Sequence, residues 1–352
     1  MSPDFSKKLL DWNKKENNRA MPWKGETDPY KIWLSEIILQ QTRVEQGWAY
    51  YEKFVKAFPT VHHLAKAPSQ KVFKLWEGLG YYTRCKNLIE TAKKISKDYN
   101  GKFPNSYEEI KSLKGIGPYT AAAIASFAFN LPYAVVDGNV ERVLSRYFGI
   151  NTPVDTTSGK KIYAELANAF LDKKQAGIYN QSIMDFGAVI CKPQNPLCKV
   201  CPQQKDCQAY KHGLIEILPV KAKKLQKKER WFYYFIIEFD GGIYIRERRE
   251  NDIWQSLYEF VLYEAKHAIT EKDMLRSDVI KHVFGKQKIA INKISNVYKQ
   301  QLSHQTIHVQ FIHIAITKPI LVEEYLLIRR KDLMKYPFPK SIAVYLNELK
   351  VS

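Results

Sequence analysis

Four cysteines, Cys191, Cys198, Cys201 and Cys207, crowd into one short stretch at the spacing C-x6-C-x2-C-x5-C. The residues between them include Pro193, Pro196 and Pro202 and carry no apolar period, so the thiolates must organise the loop. A four-thiolate zinc site is one way to do so. A [4Fe–4S] cluster, which also takes four thiolates, is another. Zinc ribbons usually pair two short C-x2-C turns. Only one is present here, which leans the pattern toward iron–sulfur without closing the zinc alternative. A disulfide framework is not expected in a chain this long and this basic. Cys85 stands apart and reads as a core thiol.

The excess of cations is large: 55 Lys and Arg against 36 Asp and Glu, a formal charge of +19 in 352 residues. Such a chain is expected to meet an anionic partner, either nucleic acid or a membrane surface. No apolar run approaches the roughly 18 residues of a membrane span, and the polar N-terminal stretch does not read as a signal peptide. A soluble intracellular protein is therefore expected. The 22 Tyr and 7 Trp, interleaved with cations, suit unstacked bases. The length predicts two domains.

Upstream of the cysteines, Leu113-Lys114-Gly115-Ile116-Gly117-Pro118-Tyr119-Thr120-Ala121 reads as a tight hairpin opening a helix over 120–129. Glycine permits positive φ and close backbone approach, and proline suits a first helical position. The free amides of that helix start can receive a phosphate. Asp137 follows an apolar run and precedes Gly138, with no other carboxylate between Glu109 and Glu141. It is either an acid delivered beside a phosphate clamp or the cap of the next helix. Asp28-Pro29 marks the start of a helix over 30–43, where Ile32, Trp33, Ile37, Ile38 and Leu39 surround Glu36. A carboxyl in such company has a raised pKa or lies on a solvated stripe, and a carboxyl kept protonated is what a general acid needs. Gln40, Gln41, Thr42 and Arg43 end the segment with groups suited to base edges and phosphates. Gly78-Leu79-Gly80-Tyr81-Tyr82 forms a second glycine-rich turn.

The helical period persists to about residue 210, which predicts an all-α domain over 1–212 that includes the cysteine loop, 191–207. Residues 213–230 form a basic linker. From 231 to 352 the pattern turns strand-like, with strands at 231–239, 243–246, 256–262 and 306–316 and helices at 272–284 and 340–349, predicting an α+β domain.

Taken together, the hairpin, Asp137 and the four cysteines resemble the helix-hairpin-helix DNA glycosylases that carry an iron–sulfur cluster. Ser35-Glu36-Ile37-Ile38-Leu39-Gln40-Gln41-Thr42-Arg43, Glu77-Gly78-Leu79-Gly80-Tyr81-Tyr82 and Val136-Asp137-Gly138-Asn139-Val140 narrow the resemblance to the adenine DNA glycosylase (MutY) type. That resemblance implies a multidomain protein: an all-α helix-hairpin-helix domain with a [4Fe–4S] loop, then an α+β Nudix-like domain. It implies removal of adenine from double-stranded DNA, opposite 8-oxoguanine or guanine, by a monomer in the cytoplasm of a bacterial cell, associated with the nucleoid and not with a membrane. Glu36 would protonate the flipped adenine, Asp137 would stabilise or transiently attack the sugar cation, and Tyr119 and Asn139 would orient them. Gln41, Leu39 and Tyr81 would fill the vacated stack, Thr42 and Arg43 would contact the duplex, and Gly115 and Gly117 would offer amides to a phosphate. Cys191, Cys198, Cys201 and Cys207 would hold the cluster, in a structural role.

Relatives that also cut the strand use a hairpin lysine to form a Schiff base. Tyr119 stands at that position, so a monofunctional enzyme is expected. The alternatives are a bifunctional endonuclease III-like lyase and a non-enzymatic DNA-binding iron–sulfur protein. In the second domain, Leu302-Ser303-His304 matches the loop that reads 8-oxoguanine, and the absence of a Glu-rich metal helix over 271–284 predicts recognition without nucleotide hydrolysis. Lys24 stands where arginine is frequent, Gln181 where some relatives have glutamate, and Leu302 where phenylalanine is frequent.

Overall fold

The computed structural model describes residues 4–222, 227–285, 287, 289–320, 322 and 324–351. The part of the expected basic linker at 223–226 lies outside these described residues. The chain divides into two compact units, Met1–Lys66 with Asn87–Lys224, and Ala67–Lys86 with Leu225–Ser352.

Helices come first: α1 (Asp4–Glu16), α2 (Pro29–Leu39), α3 (Val44–Ala57), α4 (Val61–Lys66), α5 (Ser69–Trp76), α6 (Thr83–Asp98), α7 (Tyr107–Ser112), α8 (Pro118–Phe129), α9 (Gly138–Phe148), α10 (Thr157–Phe170), α11 (Ala176–Val189) and α12 (Gln208–Lys211). Phe5, Leu9 and Trp12 on α1 pack into a core shared with Val140, Leu144, Tyr163, Tyr179 and Phe186. Aromatic edges fix that packing, as where Trp12 meets Phe186 at 5.1 Å and 81°.

Two helical boundaries differ from expectation for identifiable reasons. The helix predicted over 30–43 stops at Leu39, because Gln41 takes φ 57° and Thr42 N–H closes a turn onto Leu39 O. Gly115 has the expected positive φ of 78°, but Gly117 sits at φ −86° as the N-cap of α8. Only Gly115 needs to be glycine on local grounds: a Cβ there would lie 2.7 Å from Asn87 Cβ, whereas none would meet anything within 4 Å at Gly117.

The second unit holds a mixed sheet of β1 (Lys228–Phe239), β2 (Gly242–Glu247), β3 (Tyr258–Glu259), β4 (Val261–Ala265), β5 (Ala290–Ile294), β6 (Tyr298–Gln301), β7 (Gln305–Ala315) and β8 (Leu326–Arg329). Its path is β3-β2-β1-β7-β5, with β4 on β1, β6 on β7 and β8 on β2. The β1–β7 pairing is parallel over eleven residue pairs, from Lys228↔Gln305 to Glu238↔Ala315, while the other pairings are antiparallel. One face, through Tyr233, Phe235 and Ile237, packs on Met274, Ile280 and Phe284 of α13 (Glu271–Leu275) and α14 (Asp278–Phe284). The other receives α15 (Lys340–Val351), whose Tyr345 stacks on Phe311 at 4.0 Å. The single helix expected over 272–284 is broken at Ser277, which caps α14 by accepting from Ile280 N–H. The strand expected over 256–262 resolves into β3 and β4 on different partners.

Candidate active site

Helix α2 delivers the first carboxyl. Asp28 caps it by accepting from Tyr30 N–H, Pro29 opens its first turn, and its residues from Ile32 to Ile38 are all buried. A helix buried on every side over that stretch has no solvated stripe there, so Glu36 is carried inside, 6% exposed. Burial pushes its carboxyl up to about 7, against a hydrogen bond from the Tyr119 hydroxyl and with help from the negative charge of Asp137. Tyr119 stands on the first turn of α8, directly after the hairpin, and burial beside those two acids holds its phenol far above the ordinary range.

Asp137 caps α9. One of its oxygens accepts from Asn139 N–H at 2.9 Å and Val140 N–H at 2.8 Å, and the other accepts from Asn139 Nδ2 at 2.7 Å. The capping expected of this residue is the one found, at the start of α9, and the same side chain also lines a cavity. Burial moves its pKa upward, opposed by those three donors and by Arg142. Asn139 is fixed in turn: Arg142 donates to its Oδ1 at 2.8 Å and to the carbonyls of Gly187 and Cys191, both at 2.7 Å.

Glu36, Tyr119, Asp137 and Asn139 line one cavity of about 420 Å³, together with Leu39, Gln41 and Thr42. Its walls also include Arg19, Trp23 and Gln181. Arg43 flanks α3, exposed, and makes no side-chain capping bond. Gln41 and Tyr81, both expected at the base stack, have left-handed backbones with φ 57° and 49°. Positive φ is uncommon outside glycine, and such strain gathers at working sites.

In the second unit, the Tyr81 hydroxyl hydrogen-bonds to Ser303 Oγ, and the Arg84 guanidinium lies 5.5 Å from the Tyr81 ring. Ser303 and His304 are exposed on the turn between β6 and β7.

The cysteine loop follows α11. Cys198 lies in a 3-10 turn, Cys198–Val200, and all four sulfurs are free and partly buried. Arg146 of α9 grips the loop, its Nη1 reaching Lys192 O at 2.7 Å and Cys191 Sγ at 3.6 Å. Burial pushes the Cys201 thiol up to about 12, opposed by the Gln203 N–H and reinforced by the other three sulfurs. A cationic group among the four thiols would remove both penalties, although their placement here is not that of a formed metal site. No set of three or more His, Cys, Asp or Glu placed to hold a metal ion occurs among the described residues.

Sequence reasoning missed Arg142 and Asp185. The 3- and 4-residue steps from Asn139 to Arg142 to Arg146 along α9 were the available signal for the first. Asp185, on the buried side of α11, is fully buried and gathers Arg19, Asn17 and Gln181.

Residues 34–169 match the model of HhH-GPD superfamily base excision DNA repair proteins, and residues 232–348 match the NUDIX domain. An adenine DNA glycosylase of Buchnera aphidicola subsp. Baizongia pistaciae is 37% identical over 319 residues, 89% of this chain and 87% of that protein. The chain belongs to the adenine DNA glycosylase family. A second adenine DNA glycosylase, from Buchnera aphidicola subsp. Schizaphis graminum, is 34% identical over 87% of this chain and 86% of its own. Among solved structures, a thermostable thymine-DNA glycosylase is 32% identical, with a TM-score of 0.55, and aligns over 59% of this chain and 95% of its own. The expected order, an all-α helix-hairpin-helix domain followed by an α+β Nudix-like domain, is the one found, and the sheet of the second is mixed. No helix of the described residues is long and apolar enough to cross a membrane.

Proposed function

We propose that this member of the adenine DNA glycosylase family excises adenine from duplex DNA in base-excision repair, opposite 8-oxoguanine or guanine, without cutting the strand. The observation that carries the reading is Glu36, a carboxyl with a pKa of about 7, opening onto the same cavity as Asp137. Adenine must leave the stack to reach such a cavity. Glu36, protonated near neutral pH, gives its proton to a ring nitrogen of the flipped base, so the base departs as a neutral leaving group. The sugar cation left behind is stabilised by Asp137, whose oxygens are aimed by Asn139 and two backbone amides, until a water adds at C1′ and gives up its proton, leaving an abasic site. Two carboxyls in different environments divide acid and anion roles as in retaining glycosidases. Tyr119 orients Glu36, and its phenol forms no imine, which supports a monofunctional enzyme.

Residues 1–212 would form the catalytic domain, 213–230 the linker and 231–352 the lesion-recognition domain. Leu39, Gln41, Thr42, Arg43 and Tyr81 would meet the duplex, Gly115 and Gly117 a phosphate, and Ser303 and His304 the 8-oxoguanine edge. Cys191, Cys198, Cys201 and Cys207 would hold a [4Fe–4S] cluster. When bound it would tie the loop together and supply no group to the reaction. The protein would act as a monomer at the bacterial nucleoid.

The test is a duplex assay with adenine opposite 8-oxoguanine, guanine and thymine, followed by hot alkali. Strand scission only after alkali, with 8-oxoguanine and guanine partners preferred, is the expected result. A strong covalent adduct on borohydride trapping would favour the bifunctional lyase, and iron analysis of Cys201→Ala beside the parent tests the cluster.

A further inference from the structure

A second cavity, of about 370 Å³, adjoins the one that holds Glu36 and Asp137. That volume falls among pockets that take small molecules. Trp23, Glu36 and Gln181 line both cavities, so one layer of side chains divides them. Beyond this partition the lining grades from buried, at Ile32, Ser35 and Ser126, to exposed, at Gly25, Thr27, Asn130 and Ile178. The second cavity therefore leads from Glu36 to the surface, and Asp137, Gln41 and Thr42 line only the first.

The outer end is firmly built on one side. Gly177 brings α11 against α8, where a Cβ would lie 2.6 Å from Ser126 O. Asn130 ties the same two helices, accepting from Gly177 N–H at 3.2 Å and donating to Lys174 O at 2.9 Å. Ile178 stands beside them, 54% exposed. Facing this rim is the turn that carries Trp23 and Gly25. The charged lining residues other than Glu36 are already engaged. Glu26 pairs with Lys31 at 3.1 Å, and Lys24 donates to Arg19 O at 2.9 Å and lies 3.5 Å from Asp185. What remains for a ligand is chiefly the apolar surface of Trp23, Ile32, Phe127 and Ile178, which suits a neutral flat ring and not a phosphate.

A freed base is such a ring. While the abasic strand stays in place, it closes the mouth by which the base entered. We propose that the second cavity is the exit for the freed base, which leaves between the Trp23–Thr27 turn and the α8–α11 rim before the duplex dissociates. This inference rests on the adenine-excising reading and adds an order of product release to it.

The test uses full-length protein in excess over a duplex labelled in the target adenine, opposite 8-oxoguanine. One reaction gives two readings: bond cleavage, from alkali scission, and free adenine, from a rapid filter that retains the protein–DNA complex. The parent should pass free adenine while the abasic duplex is still retained. Ile178→Trp and Thr27→Trp each set a large ring at the outer mouth, on exposed positions away from the carboxyls. In these variants cleavage should keep its parental rate, while passage of adenine slows roughly tenfold or more, toward the rate at which the duplex leaves. Ile178→Ala leaves the mouth open and should behave as the parent. Slowed passage in either Trp variant, with cleavage and Ile178→Ala unchanged, supports the exit. Parental passage in both Trp variants overturns it, as does a parent whose adenine crosses the filter only as the duplex dissociates. A parent that cleaves no adenine from any duplex overturns the glycosylase reading and this inference with it, whereas a cleaving parent that fails either passage test overturns this inference alone.

Discussion

Asn139 donates its side-chain nitrogen to Asp137 at 2.7 Å while its oxygen accepts from Arg142 at 2.8 Å. The anion proposed to meet the sugar cation is thus aimed by an amide that is itself held. Replacing Asn139 by Ala removes one donor from Asp137 and one acceptor from Arg142. Melting should shift by the equivalent of about 1 kcal/mol. Single-turnover adenine release should slow by roughly 100-fold, since a small misplacement of a reacting group is expensive in rate. A slowing no larger than the stability change would count against the aiming role.

The pH dependence of excision follows from the two carboxyls. Glu36 acts protonated, and at about 7 it loses that proton as the pH rises through neutrality. Asp137 acts ionised, and burial lifts it above its ordinary 3.8, so activity falls again on the acid side. A bell is expected in single-turnover rates, and Glu36→Gln should abolish its basic limb while lowering the plateau by roughly 100-fold to 10,000-fold.

Glu36 also exacts a stability penalty whose sign is fixed. Between its ordinary 4.5 and its folded value of about 7, the folded chain binds a proton that the unfolded chain has lost. Stability therefore falls as pH rises through that window, by about 3 kcal/mol in all. Glu36→Gln removes the titration. Its melting temperature relative to the parent should be higher at alkaline pH than at pH 4.5, and an equal difference at both would contradict the burial argument.

Much of this site is legible in the sequence because caps and breakers announce themselves. Asp28-Pro29, Gly117-Pro118 and Asp137-Gly138 each mark the helix start seen in the structure. The turn over Gln40, Gln41 and Thr42 is not legible: it holds no glycine or proline, and its residues suit a helix well enough to hide the break at Leu39. The burial of Glu36 was ambiguous because the partners that explain it, Tyr119 and Asp137, arrive from α8 and the start of α9. Strands β5, β6 and β8 escaped notice for another reason. They are short, largely exposed and carry polar residues such as Lys293, Lys299 and Arg329, leaving no alternation to read. The Asp185 cluster draws Asn17 and Arg19 from a polar segment with no pattern of its own.

Gln41 offers a test of strain held for function. Gln41→Gly relieves about 1 kcal/mol of left-handed backbone cost, which the extra freedom of glycine in the unfolded chain largely offsets. Melting should stay within a few degrees of the parent. Affinity for a duplex carrying the mispair should drop roughly fivefold to tenfold, the worth of about one hydrogen bond from the amide. Unchanged affinity would remove Gln41 from the interface.

Ser303 and Tyr81 share a hydrogen bond in the second unit. Ser303→Ala should reduce the preference for adenine opposite 8-oxoguanine over adenine opposite guanine by about fivefold, the worth of one hydrogen bond near 1 kcal/mol. Excision opposite guanine should be nearly unchanged, and equal losses on both duplexes would indicate a general structural role.

The parallel contact of β1 with β7 has a consequence for biosynthesis. β1 leaves the ribosome early, with β4 able to cover one of its flanks, but its other long flank stays open until the segment ending at Ala315 has been made. An aromatic strand with unmet backbone groups is a site for wrong pairing with other chains. Synthesis interrupted between these two strands would leave a helical unit attached to an adhesive ribbon, so premature stops in this interval should yield insoluble product, whereas stops before Lys228 should not.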